Sequence, residues 1–164
     1  LFLFCIYSYI LSFLCHCFLG VALAMGPSGG YIAVTGELPF SINLLSGGVC
    51  LWISSFDVIY GSQDRQFDLY HKLRSMATQF GVANAHKIAA FFHFISILCF
   101  IGAGIYFDLS FIYYIGVLIA ILTLIYQHSL ITPYDFSRLT QVYFMRNGIV
   151  SIVIFVFTLI DILS

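Results

Sequence analysis

The sequence predicts an all-α protein, a polytopic transmembrane helical bundle. Three observations lead there. Of 164 residues, 62% are hydrophobic and 8% are charged, whereas a soluble domain carries about 25% charged residues. Mean hydropathy is +1.05. Apolar stretches of about 20 residues, the length that crosses a bilayer core, recur along the chain. The lipid bilayer is therefore the solvent for most side chains. A net charge of −1 supplies no basic field, so nucleic acid is not a partner.

In chain order, Leu1 to about Ile10 reads as the end of one span. Phe13 to about Thr35 is a second, interrupted at Gly26-Pro27-Ser28-Gly29-Gly30. No charge or turn residue separates these two, and a single bent re-entrant segment stays open as an alternative. Ile42 to Gly61 is a third span, Ala85 to Phe107 a fourth and Phe111 to about Ile131 a fifth. Ile149 to Leu163 is a short sixth, between Arg146 and Asp161. Residues 1–164 read as a single transmembrane domain. The chain opens at Leu1 inside an apolar run, so the expectation is a protein truncated at its N-terminus.

The basic residues test this layout. Arg65, Lys72, Arg74, Lys87, Arg138 and Arg146 fall in or beside two connections, after the third span and after the fifth. Alternating spans place both connections on one side. The opposite connections, 36–41 and 108–110, contain neither Lys nor Arg. The positive-inside rule puts the basic side in the cytoplasm, which in a bacterium means the inner membrane. Between Ser62 and Asn84, Leu69, Leu73, Met76 and Phe80 recur at i, i+4, i+7 and i+11, one helical face. That pattern predicts an interfacial helix, with Lys72 and Arg74 off its apolar face.

The candidate chemistry lies where this connection begins. Asp57, Asp64 and Asp68 are three of only seven acids. Offsets of 7 and 11 return to within about 20° of the starting direction on a helix. If the helix continues, the three carboxylates share one stripe. Clustered carboxylates at a membrane boundary are costly without a partner. A hard dication is the usual partner, and Mg²⁺ takes a few carboxylates together with substrate phosphate oxygens. Nearby cations then suit an anionic ligand such as diphosphate, held between them and the metal. His86 and His93, seven apart, share a face and read either as a proton path or as residues bonded within the bundle. Cys15-His16-Cys17 has no second Cys/His pair at metal spacing, and five dispersed cysteines give no disulfide framework. That cluster reads as structural. Gln127 and His128 read as partners for helix-end groups.

The stretch Phe56 to Asp68, continued by Leu73, Arg74, Ser75, Phe80 and Gly81, resembles the second aspartate-rich motif of the UbiA superfamily of intramembrane prenyltransferases. The order Asp-x-x-Tyr-x-x-x-Asp-x-x-x-Asp is met at Asp57, Tyr60, Asp64 and Asp68. It is most similar to 4-hydroxybenzoate polyprenyltransferases and their menaquinone-pathway relatives. Leu19-Gly20, Ile32-Ala33-Val34-Thr35-Gly36, Gln127-His128 and Asn147-Gly148 also resemble that family. The resemblance implies the C-terminal part of a nine-helix bundle. It implies transfer of a polyprenyl group from polyprenyl diphosphate to a small aromatic acceptor such as 4-hydroxybenzoate, in ubiquinone or menaquinone biosynthesis. Asp57, Asp64 and Asp68 are then the catalytic and Mg²⁺-binding residues, and Tyr60, Arg65, Lys72 and Arg74 face the substrate. Arg74 ranks ahead of Lys72, whose place in the family is commonly Gly. The 18 Phe and 11 Tyr face lipid or line an isoprenoid tunnel.

Two features depart from the family pattern. Its first motif, Asn-Asp-x-x-Asp-x-x-x-Asp, does not occur in this sequence. Tyr9 and Ile10 stand where the family usually has a Lys-Arg pair. The 164-residue segment alone is therefore expected to be inactive. Two further readings stand beside this one, a membrane cation transporter and a non-catalytic remnant of a prenyltransferase.

Overall fold

The computed structural model describes residues 14–132, 136 and 144–164. Among these, the chain is built from α1 (Cys15–Thr35), α2 (Phe40–Gly61), α3 (Arg65–Tyr70), α4 (Met76–Phe80), α5 (Val82–Tyr106), α6 (Phe111–Leu130) and α7 (Phe144–Leu163). A 3₁₀ turn, Ser62–Asp64, joins α2 to α3. Five stretches are long and apolar enough to cross a membrane: Cys15–Thr35, Phe40–Tyr70, Val82–Tyr106, Phe111–Leu130 and Met145–Leu163. They match the predicted second to sixth spans. The first predicted span and Arg138 lie outside the described residues.

The long helices alternate in direction, and small residues let them approach. A side chain at Gly20 of α1 would run into the Cys50 carbonyl and the Ser54 hydroxyl of α2. Hydroxyls then bridge the helices. Ser55 donates to the Ala89 carbonyl at 2.6 Å and Ser96 to the Gly48 carbonyl at 2.7 Å, tying α2 to α5. Ser28 and Ser46 share a 2.6 Å hydrogen bond between α1 and α2. Where lipid already satisfies apolar groups, close packing and interhelical hydrogen bonds supply the association energy. Trp52, Phe100, Ala120, Leu124 and Val150 form an apolar cluster drawn from α2, α5, α6 and α7. A second cluster, including Val58, Ile59, Met76, Ala77, Ala85 and Ala89, pins α4 against the ends of α2 and α5. Large apolar side chains such as Val34, Leu122, Ile125, Phe155 and Ile162 face outward, as lipid contact requires.

Three sequence expectations are corrected. The predicted break at Gly26–Gly30 is absent: α1 runs through with Pro27 inside it. A proline inside a membrane span is tolerated where neighbouring groups re-satisfy the freed carbonyl. The last span begins at Phe144 and takes Arg146 into the helix. Its far end is also engaged, because the Asp161 carboxylate accepts from the Ser110 and Tyr113 backbone N–H groups and from the Ser110 hydroxyl. α7 thus caps the exposed N–H groups of α6.

The third correction is the interfacial helix predicted over Leu69 to Phe80. It is two short helices with a turn between them. Lys72 adopts a left-handed φ of 56°. The Leu73 N–H reaches back to the Asp68 carbonyl at 2.8 Å and the Lys72 N–H to Leu69 at 3.3 Å. That pair of bonds is the Schellman stop of a helix. Ser75 then restarts the chain as α4 through a reciprocal capping box with Thr78. Local stop and start signals override the apolar periodicity.

Candidate active site

Asp57, Asp64 and Asp68 lie where α1 begins and α2 ends, at the end of the bundle that also carries Arg65, Lys72, Arg74 and Lys87. The structure does not bring Asp57, Asp64 and Asp68 onto one stripe as predicted. The 3₁₀ turn advances about 120° per residue instead of 100°, which rotates everything after it by roughly 60°. Among the described residues, no group of three or more His, Cys, Asp or Glu side chains is placed to hold a metal.

Asp57 is instead engaged from α1. The His16 Nδ1 lies 2.7 Å from Asp57 Oδ2, with His16 fully buried and the Asp57 side chain 17% exposed. Beside it, the Cys15 thiol donates to the Arg74 carbonyl at 3.7 Å and is close enough to Asp57 and Asp68 to interact with both electrostatically. The first turn of α1 thus joins the end of α2 to the turn after α3.

Asp64 occupies the N-cap of α3 and is exposed, and Asp68 follows one turn later. Residues at i and i+4 are neighbours on a helix, with Cβ atoms about 5–6 Å apart. Asp68 is only 4% exposed, yet its carboxylate has no hydrogen-bond or ion-pair partner among the described residues. A carboxylate left with only a narrow opening is poorly solvated and favours a positively charged partner. Hard oxygen donors in need of positive charge fit a divalent cation such as Mg²⁺.

The predicted substrate-facing residues separate. Arg65 is tied inward, its Nε donating to the Ala77 carbonyl at 3.0 Å. It anchors α4 and leaves α3 less free to move. Tyr60 is 39% exposed and its ring stacks on Phe56 at 5.9 Å. Lys72 and Arg74 are exposed on the turn between α3 and α4.

Deeper in the bundle lies a cavity of about 530 Å³. Its wall includes Tyr31, Trp52, Phe100, Tyr113, Phe155 and Ile162 and is almost wholly apolar. It does not coincide with the carboxylates. Trp52 precedes Asp57 by five residues, so the cavity starts about 7.5 Å further along the α2 axis.

Two buried polar features were not legible in the sequence. His93 pairs with His128, Nδ1 to Nε2 at 2.8 Å, and not with His86. Gln127 is fully buried, with neither amide atom hydrogen-bonded, so it does not serve a helix end as expected. Pairings across 35 or 41 positions leave no periodic trace. The only signal for His16 was its position at the same end of an antiparallel pair as Asp57.

Spanning helices with carboxylates at one end and a separate apolar cavity lined from Trp52 toward Phe107 and Leu109 define an intramembrane helical bundle. Residues 1–149 match the UbiA prenyltransferase family, and the chain belongs to that family. It is 30% identical over 144 residues to a 4-hydroxybenzoate octaprenyltransferase of Nitrosospira multiformis, covering 88% of this chain and 49% of the relative. A protein of the same name from Hydrogenovibrio crunogenus is 29% identical, covering 88% of this chain and 50% of the relative. The chain thus spans about half the length of the curated relatives it matches. The apo structure of a UbiA homolog from Aeropyrum pernix K1 superposes with a TM-score of 0.79 at 24% identity, over 95% of this chain and 58% of that one. That likeness bears on the fold.

Proposed function

We propose that the protein to which this chain belongs transfers a polyprenyl group from polyprenyl diphosphate to a small aromatic acceptor of the 4-hydroxybenzoate type, with Mg²⁺. The observation that carries this reading is Asp68, largely buried beside Asp64 and without a hydrogen-bond partner among the described residues, at one end of a bundle that also encloses an apolar cavity of about 530 Å³. One molecule satisfies both features if it brings an anionic head with its cation and an apolar chain. The relatives' names supply the acceptor class and favour ubiquinone over menaquinone biosynthesis.

Bound Mg²⁺ neutralises the charge that develops on departing diphosphate. Asp64 and Asp68 would hold that cation, and exposed Arg74, on the turn between α3 and α4, would attract the diphosphate oxygens. Lys72 adds positive potential near them. Tyr60 packs on Phe56 and borders the head group. The apolar wall around Trp52 and Phe100 keeps water from the allylic carbon while it is electron-poor. The aromatic ring then attacks that carbon, a carbon–carbon bond replaces the carbon–oxygen bond to diphosphate, and the attacked ring carbon loses its proton to solvent as diphosphate leaves. The Lys and Arg residues at this end favour a cytoplasmic orientation, where diphosphates and Mg²⁺ are found.

The test is product formation by full-length protein in membranes given polyprenyl diphosphate, 4-hydroxybenzoate and Mg²⁺. A lost metal carboxylate removes several kcal/mol of leaving-group stabilisation, so Asp64→Asn and Asp68→Asn should each slow turnover about 100-fold or more. Chelation should abolish it. Near-normal turnover in both variants rejects the metal–diphosphate reading. An inactive wild-type protein favours the remnant.

A further inference from the structure

We propose that His16 is a positioning residue of this site: it commits Asp57 to a hydrogen bond and leaves the cation to Asp64 and Asp68. The kinetic part of this inference rests on the prenyl-transfer reading, and its metal-binding part does not.

The geometry is built for one side chain. His16 is fully buried, and its Nδ1 lies 2.7 Å from Asp57 Oδ2. A histidine protonated at Nδ1 donates there whether or not Nε2 also carries a proton. The ring lies across Gly61, one turn after Asp57 on the same face of α2. A Cβ at Gly61 would stand 2.8 Å from His16 Cε1. The last turn of α2 therefore offers the imidazole one acceptor and one gap. The neighbouring Cys15 thiol contacts the Arg74 carbonyl, so the same turn of α1 also anchors the segment carrying the exposed cations. Asp57 is half-buried and has a fixed donor, whereas Asp68 is buried and has none among the described residues. A hydrogen bond to a charged acceptor is among the strong ones, and a metal recruiting Asp57 through Oδ2 has to displace it. Asp68 presents no such competition. Asp57 thus shapes the site through His16, as outer-shell partners do at metal centres.

The test uses full-length protein in nanodiscs. Mg²⁺ binding is measured by calorimetry without substrate, and prenyl transfer is measured separately. Asn at position 16 places an amide N–H near the Nδ1 position, Gln places it near Nε2, and Ala offers none. His16→Asn should keep wild-type Mg²⁺ affinity and turnover. His16→Ala and His16→Gln should lose about 10- to 100-fold, the range for outer-shell partners. Asp57→Asn still accepts from His16 through its amide oxygen and should weaken Mg²⁺ binding less than Asp64→Asn or Asp68→Asn. If Asp57→Asn weakens it as much as those two, Asp57 is a direct ligand and the proposal is overturned. If His16→Asn behaves like His16→Ala, the ring only fills space and the proposal fails too. Should the His16 variants not accumulate in membranes, the comparison of Asp57→Asn with Asp68→Asn decides alone. The predicted Mg²⁺ pattern without any prenyl transfer would reject the proposed reaction and keep His16. Prenyl transfer without that pattern would do the reverse.

Discussion

Asp68 and Lys72 stand one turn apart, and each is in a state that its residue type disfavours. Asp68 is a buried acid with no hydrogen-bond partner among the described residues, and Lys72 has a left-handed backbone. The first is a binding feature and the second a structural one. Left-handed backbone costs an L residue about 1–2 kcal/mol, and glycine returns part of that through its freer unfolded chain. Lys72→Gly should therefore stabilise the protein by roughly 1 kcal/mol. Thermal unfolding in detergent reads this directly, and a lower midpoint would contradict the assignment of Lys72 as the helix stop. At this scale the candidate carboxylates were legible, because few acids occur in an apolar chain and their spacing stands out. Their individual states were not. Whether a carboxylate ends buried, exposed or hydrogen-bonded to His16 depends on which helix lies opposite.

Single residues also decide how the elements end. Leu69, Leu73, Met76 and Phe80 share helical spacing, yet the chain stops at Lys72 and restarts at Ser75. The apolar pattern records which side chains face the bundle, and it is blind to a turn that keeps them there. Met76 and Ala77 are buried under the end of α2, which a continuous helix lying on the surface could not achieve. The capping box at Ser75 holds this arrangement. Ser75→Ala removes one half of it and should cost about 1 kcal/mol. Because Arg65 bonds the Ala77 carbonyl, loosening α4 should also raise protease sensitivity between Leu69 and Phe80. Unchanged cleavage there and an unchanged unfolding midpoint would show that α4 is held by packing alone. The spanning helices were predicted far better than this connection. A run of 20 apolar residues leaves the backbone one way to satisfy its N–H and C=O groups. Helix ends near water have many.

The whole molecule separates charge from apolar volume along the membrane normal. The cations near α3 and α4 share one end with Asp57, Asp64 and Asp68, while the connections at Gly36–Pro39 and Phe107–Ser110 carry no Lys or Arg and hold Glu37 and Asp108 instead. A tag inserted near Gln79 should be accessible from the cytoplasm, and one near Pro39 should not. The opposite labelling would reject the topology. The order of the spans was legible from hydropathy alone. The cavity was not, since it arises where Trp52, Phe100 and Tyr113 meet from three helices. The most direct test of the central claim is binding of polyprenyl diphosphate to purified full-length protein, with Mg²⁺ and with chelator. The account predicts binding that requires Mg²⁺ and is strongly weakened by Asp68→Asn. Equal affinity in the wild type, in the Asp68→Asn variant and in chelator would contradict it.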